Sequence, residues 1–287
     1  MKEIRNERFG EERALYGITD TVVVDCRFEG LEDGESALKE ANGIELKNCF
    51  MDLRYPLWHD DQVILDNITM TENCRAALWY TTNTEIKNSH LLGIKALREC
   101  SDIKIKNTEI VSPEFGWRSR NIKANHIQVQ SEYLFFEAKN LNLKNMQFKG
   151  KYSFQYVEDM VIEDSNLDTK DAFWHSKNVT VKNSVVKGEY LAWYSENLTL
   201  INCKIIGTQP LCYCKNLKLI DCEMKATDLS FEYSDVEATI KGSIDSVKNP
   251  KSGYIEADEI KEILLTDDAK YKTLAKIKIR KGELIIS

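Results

Sequence analysis

Proline is scarce in this chain, with four in 287 residues. A chain so poor in proline can donate nearly all its backbone N–H groups, which suits extended strand pairing. No apolar run reaches the length of a membrane-spanning helix. The first residues, Met1-Lys-Glu-Ile-Arg-Asn-Glu, lack the apolar core of a signal peptide. The expected location is therefore cytoplasmic, with no membrane partner. Positive charge is also short: the net charge is −7, which argues against a nucleic-acid partner. Histidine is rare, at four residues, and the eight cysteines include no CxxC pair or Cys/His spacing of a metal site. No stretch reads as an amphipathic helix.

What the chain does have is a repeat. From Asn107 the same phrase returns at His126, Asn145, Asp164, Asn183, Asn202 and Asp221, each step being 19 residues. Earlier copies at Asp25, Asn48, Asn67 and Asn88 are spaced by 23, 19 and 21 residues. Two residues before each Asn/Asp stands an apolar row (Val23, Leu46, Leu65, Ile86, Ile105), and three after it another (Phe28, Met51, Met70, Leu91, Ile110). Polar residues alternate with them. A period of two reads as short strands with one buried face. The Asn/Asp breaks the alternation, as a residue does that bends the chain through the left-handed region. Gly30, Gly93, Gly150, Gly188 and Gly207, five residues later, read as a second bend that needs glycine's freedom. Cys26, Cys49, Cys203 and Cys222 share a row with Ser89, Thr108, Ser165 and Ser184, and so read as small, reduced core residues.

A fixed period near 20 residues means a solenoid. A left-handed hexapeptide helix needs a coil length divisible by six, and a leucine-rich repeat needs a helical return. The expected fold is all-β: a right-handed, single-stranded parallel β-helix of about 11–12 coils, three short strands per coil. Residues 1–245 form the β-helix with its N-terminal cap, and residues 246–287 a C-terminal cap ending in a hairpin-like alternation, Ile277 to Ile286.

The third strand carries the candidates. Nine residues before the Asn lie Trp58, Trp79, Arg98, Trp117, Phe136, Gln155, Trp174 and Trp193. Ten before lie Leu57, Leu78, Leu97, Phe135, Phe154 and Phe173. If the apolar row faces inward, the Trp row is an exposed stripe, with Arg98 between Trp79 and Trp117 in a cation–π sandwich. The other placement, a ladder inside the core, stays open. As an exposed stripe, Trp58, Trp79, Arg98, Trp117, Trp174 and Trp193 would bind a sugar, or bury against a second copy as a homo-oligomer interface. One position on, Glu99, Arg118 and Glu137 line up, with His59, Asp60 and Arg75 near them in the early coils. Carboxylates beside Arg and His suit acid–base work, and equally suit surface ion pairs. No spacing here is specific to a reaction. Extra residues around Leu31 to Glu35 and Thr71 to Arg75 mark insertions of the kind that carry function.

The phrase Asn-Ile/Leu-x-Ile/Leu-x-Asn-Cys/Ser resembles that of the pectate-lyase-like right-handed β-helix superfamily. Gly10-Glu-Glu-Arg-Ala-Leu-Tyr16, Asp33-Gly-Glu-Ser-Ala-Leu-Lys39, Tyr55-Pro-Leu-Trp58, Ala76-Ala-Leu-Trp-Tyr80, Asp171-Ala-Phe-Trp174, Gly188-Glu-Tyr-Leu-Ala-Trp193, Phe231-Glu-Tyr-Ser234 and Asp245-Ser-Val-Lys-Asn-Pro250 resemble one bacterial family in it, domain of unknown function 3737. That resemblance implies the β-helix and no catalytic residues. The superfamily includes polysaccharide lyases, hydrolases, esterases and non-enzymatic members. Its lyases use acidic Ca²⁺ ligands and an Arg base, for which Asp60 and Asp61 are the nearest acids here. The residues themselves call for no cofactor; only that analogy would bring in Ca²⁺, and, were the chain an enzyme, a lyase- or glycoside-hydrolase-like reaction. The expected function is binding or processing of an oligosaccharide on the aromatic face. The alternative is a non-catalytic scaffold for protein interaction.

Overall fold

The computed structural model describes residues 2–30, 34–281 and 284–286. It is all-β: a parallel β-solenoid of about 14 turns with a period of roughly 19 residues. The turns exceed the 11–12 expected because parallel pairing starts earlier and ends later than the repeat. Lys2–Arg5 pairs with Thr21–Val24, and Ser252–Leu264 pairs with both Asp235–Lys248 and Lys276–Ile279. The expected hairpin closes the chain, Lys276–Ile279 pairing antiparallel with Leu284–Ile286. Two compact units divide it, residues 1–147 and 148–287.

In the first unit the strands Asn42–Lys47, Asp61–Asp66, Thr82–Lys87, Ser101–Val111 and Arg120–Ser131 pair successively, residue over residue. In the second, Glu158–Glu163, Lys177–Lys182, Glu196–Ile201 and Leu217–Lys225 do the same. Both apolar rows point inward: Val23, Leu46, Leu65 and Ile86 are fully buried, as are Met51, Leu91 and Ile110. A buried side chain of this size stabilises by about 1.5–3 kcal/mol, and every coil adds several.

The bends follow the Asn/Asp row. All its members from Asp25 to Asp221, His126 included, sit near φ +50°. Their amides form a ladder, such as Asn67 Nδ2 to Asn48 Oδ1 at 2.8 Å and Asn202 Nδ2 to Asn183 Oδ1 at 3.0 Å. Where His126 has no amide, Asn145 turns to Asn125 instead, at 2.9 Å. The Cys/Ser row seals the same bend: Cys49 Sγ and Ser184 Oγ donate to the carbonyls two residues back, at 3.2 and 2.6 Å. All eight cysteines are free and buried. Burial pushes the Cys49 thiol up to about 11, so it stays neutral and unreactive.

Two expectations need correction. The glycine row is not a left-handed bend throughout: Gly207 has φ +131°, but Gly93 and Gly188 are absent from the positive-φ residues. Glycine stands there because coils approach closely: a Cβ on Gly188 would lie 2.4 Å from the Thr169 carbonyl oxygen, and one on Gly93 2.2 Å from that of Cys74. Nor is the third side a strand. It is a run of turns with left-handed φ at alternate positions, as at Tyr55, Leu57 and His59, at Ala76, Leu78 and Tyr80, and at Asp171, Phe173 and His175. Alternation still sends side chains to opposite sides, so the in-out pattern of a strand survives without strand geometry.

Large apolar residues rarely adopt positive φ, at a cost of roughly 1–2 kcal/mol each. Here burial offsets it: Leu57, Leu78, Leu97, Phe135 and Phe154 are fully buried. A paired substitution tests this. Leu78→Ala and Leu78→Gly should each lose about 2–5 kcal/mol in urea denaturation. The glycine variant should be the more stable of the two by roughly 1 kcal/mol, reversing the usual order. The usual order would show that φ at Leu78 is not left-handed.

Candidate functional site

A second row of left-handed residues runs five positions before the Asn: Asp20, Gly43, Gln62, Asn83, Asp102, Asn121 and Asn140. It bends the chain into the long strand of each coil. Its amides also form a ladder, Asn121 Nδ2 to Asp102 Oδ1 at 3.0 Å and Asn140 Nδ2 to Asn121 Oδ1 at 2.7 Å. Beside it, in the first unit, lies a trough of about 800 Å³ spanning these coils. That is within the range of small-molecule sites.

The trough's floor is set by strand register. Glu45, Ile64, Glu85, Lys104 and Lys123 stand in one column, each paired to the next. The column changes sign along its length, from carboxylates to ammonium groups. Amides and carboxylates of the bend row form one edge. The result is a polar strip one residue wide per coil, rising by ~4.8 Å per step. Sequence reading missed it because the bend row is interrupted by Gly43 and Gln62, and the floor column mixes Glu, Ile and Lys. Only register unites them. The signal was the Asn opening the phrase at Asn178 and Asn197.

The tryptophan row lies half-buried. Each indole N–H donates to a backbone carbonyl of the following coil: Trp58 to Ala76 at 2.6 Å, Trp117 to Tyr133 at 2.7 Å, Trp174 to Tyr190 at 2.6 Å and Trp193 to Gln209 at 2.8 Å. Gln155 fills the same role through its amide at 3.0 Å. The rings stack on one another, Trp58 on Trp79 at 5.1 Å and Trp174 on Trp193 at 5.4 Å. The Arg98 guanidinium sits 5.1 Å from the Trp79 ring and 5.2 Å from the Trp117 ring, the expected sandwich. The row is thus neither fully exposed nor a core ladder. Its ring faces are taken up by neighbours, and its edges face outward.

The next column is exposed. His59 stacks on Tyr80 at 4.8 Å, and Glu99, Arg118 and Glu137 follow on successive coils. Arg118 Nε donates to Glu137 Oε2 at 2.6 Å, and this carboxylate raises the guanidinium pKa further. So the structure brings His59, Glu99, Arg118 and Glu137 together as one surface column with an ion pair. Arg75 lies elsewhere, in a 440 Å³ pocket beside the second insertion with Asp52, Arg54, Glu72 and Asn73. Residues 31–33 of the first insertion lie outside the described residues.

Asp60 is inside the core, 1 % exposed. Its Oδ1 accepts the Ala41 N–H at 2.8 Å, and its Oδ2 has no hydrogen-bond partner among the described residues. Burial pushes the carboxyl up to about 8, so it is protonated at neutral pH. Asp61 faces out, its carboxylate held below the usual range first by the Thr82 hydroxyl and then by the Asn83 amide. A neutral buried acid and an engaged surface one do not make the 6–8-oxygen cage of Ca²⁺. Among the described residues no group of three or more His, Cys, Asp or Glu converges on a metal position.

The profile of a family described as "Protein of unknown function (DUF3737)" matches residues 2–279. The chain belongs to this family. No curated protein matches the DUF3737 chain. Among solved structures it is similar to PfbA, a surface adhesin of Streptococcus pneumoniae, at 12 % identity and TM-score 0.44, covering 76 % of this chain and 71 % of that one. It is also similar to the A-module of the Azotobacter vinelandii mannuronan C-5 epimerase AlgE4, at 9 % identity and TM-score 0.33, covering 83 % and 87 %. A third is the catalytic domain of a GH87 alpha-1,3-glucanase in complex with tetrasaccharides, at 9 % identity and TM-score 0.31, covering 98 % and 64 %. At such scores, what those proteins bind does not transfer to the DUF3737 chain.

Two outcomes are expected. In the folded state Asp60 keeps its proton up to about pH 8, whereas unfolded it ionises near pH 4. Stability should therefore fall as pH rises between these values. Asp60→Asn should remove that slope and gain on the order of 3–4 kcal/mol at pH 7, with little change near pH 4. Denaturation at pH 4, 6 and 8 measures it; a flat wild-type profile counts against a buried neutral acid. Arg98→Leu should cost on the order of 1 kcal/mol through two lost cation–π contacts, with partial rescue by Arg98→Lys. Equal stability of Arg98→Leu and wild type would mean the sandwich contributes nothing.

Proposed function

We propose that this chain is a saccharide-binding solenoid that holds a linear oligosaccharide along the trough of its first unit. The observation that supports this reading is the column Glu45, Ile64, Glu85, Lys104 and Lys123 beside the Asp102–Asn121–Asn140 amide edge, in a groove of about 800 Å³. An oligosaccharide offers hydroxyl groups at regular intervals. A groove that repeats donors and acceptors once per coil can meet them without long flexible side chains. The aromatic row contributes less than its composition suggests, because stacking on a sugar needs a free ring face.

The reading is one of binding. Arg118 engages Glu137, Asp60 is buried, and Arg75 lies apart, so these groups do not converge on a reacting atom. One observation favours a scaffold instead: the exposed column of Tyr156, His175 and Tyr194 stacks at 4.9 and 5.1 Å and presents its edges outward. Such a surface suits a protein partner or a second copy.

Calorimetric titration with a panel of linear oligosaccharides separates the two. A trough binder should lose roughly tenfold in affinity, ~1.4 kcal/mol, on Asn121→Ala or Lys104→Ala, and nothing on Tyr156→Ala. Silence toward every saccharide, with a concentration-dependent oligomer in light scattering, would sink the trough reading in favour of the scaffold.

A further inference from the structure

The second unit contains a pocket of about 540 Å³ near the C-terminal end of the tyrosine column. Its walls include the bend residues Asn197 and Asn216, and a segment outside the regular strands completes it. Strand Ser252–Leu264 is followed by a segment without regular structure, residues 265–275, that returns over the column. Its backbone N–H at Lys270 donates to the Tyr233 hydroxyl at 3.1 Å, and Leu274 N–H donates to the Lys251 carbonyl at 2.9 Å. Tyr271 is thereby set edge-on to Tyr233, with centroids 5.5 Å apart. The ammonium groups of Lys251 and Lys270 each lie 5.2 Å from the Tyr271 ring centroid.

The groups lining this pocket are unbalanced. Lys215, Lys251 and Lys270 form no ion pair with any carboxylate among the described residues, although other exposed lysines of this acidic chain do, such as Lys170 with Glu189 at 3.1 Å. The phenol hydroxyls of Tyr194, Tyr213 and Tyr271 likewise have no hydrogen-bond partner there. Burial raises the Tyr213 phenol to about 12, so it stays a donor. The carboxylates of the lining are Glu196 and Asp235, and Asp235 Oδ1 accepts the Ser252 hydroxyl at 2.9 Å. Three lysines and three phenol O–H donors line a pocket that has two carboxylates, one of them with an oxygen already engaged.

We infer that this pocket binds a small hydroxylated ligand through an oxyanion group of the phosphate type, held between Lys251 and Lys270 with the tyrosine hydroxyls donating to the rest. Ammonium groups recognise phosphate as point charges, without the planar geometry that would select a carboxylate. A phosphate monoester carries about −1.5 to −2 at neutral pH, which matches two flanking lysines. The pocket's volume leaves room for a sugar-sized remainder. This site does not depend on the trough, which is built from different residues.

Calorimetry with glucose 6-phosphate, and with glucose as the uncharged control, tests it. The phosphate ester should bind at least tenfold more tightly than glucose, and more weakly as salt is raised. The exposed-site variant Lys251→Gln/Lys270→Gln should abolish that binding, and Lys215→Gln should weaken it severalfold. Lys87→Gln and the trough variant Asn121→Ala should leave it unchanged. Glucose binding as tightly as its phosphate would overturn the inference. So would undetectable binding of both, or a Lys251→Gln/Lys270→Gln variant that binds like wild type while keeping the wild-type melting curve.

Discussion

Everything in this molecule follows from coil-to-coil backbone pairing at a fixed offset. Each N–H must meet a carbonyl one turn away, and no coil can satisfy its own strands alone. A coil therefore has to return over its starting point within about 19 residues. With so few residues, the chain can turn only through bends of a single residue, and those pass through the left-handed region. The two Asn/Asp rows, the glycines at close approach and the Cys/Ser row are all consequences. Each places a side chain that can tolerate, bridge or make room for a bend.

The same pairing explains why the third side carries the aromatic columns. A run with left-handed φ at alternate residues gives up regular strand geometry, so its side chains supply cohesion along the stack. Indole N–H groups tie each turn to the carbonyls of the following coil, and ring faces lie against ring faces. A stripe built this way is a clasp. Its surface is apolar and yet offers little to a sugar, because the faces that would stack are already in contact.

The two proposed ligand sites lie where neighbouring coils differ in their polar groups. On the long strands of the first unit, the column from Glu45 to Lys123 changes sign and borders an amide edge. In the second unit, the returning segment around Tyr271 brings Lys270 to a pocket that Lys215 and Lys251 also line. In both places the feature comes from departures: a change from Glu to Lys along one column, or an irregular return between the last two parallel strands.

The period, the inward apolar rows, the left-handed Asn/Asp row and the Arg98 sandwich could all be read from spacing, because each is a contact between residues about 19 apart. Spacing is what a repeat writes into its sequence. It did not reveal that the third side is a run of turns, since alternation of facing arises from alternating φ as well as from a strand. Nor did it place Asp60, whose row holds Thr81, Cys100 and Ser119 in neighbouring coils and so points inward; proximity to His59 in sequence suggested a surface acid. The trough and the lysine pocket were decided by tertiary structure alone. One needs the register of five strands to assemble a column from unlike residues, and the other needs a non-repetitive segment to fold back across the tyrosines. Periodicity determines what every coil shares; a site is made by what neighbouring coils do not share, and only their stacking brings those differences together.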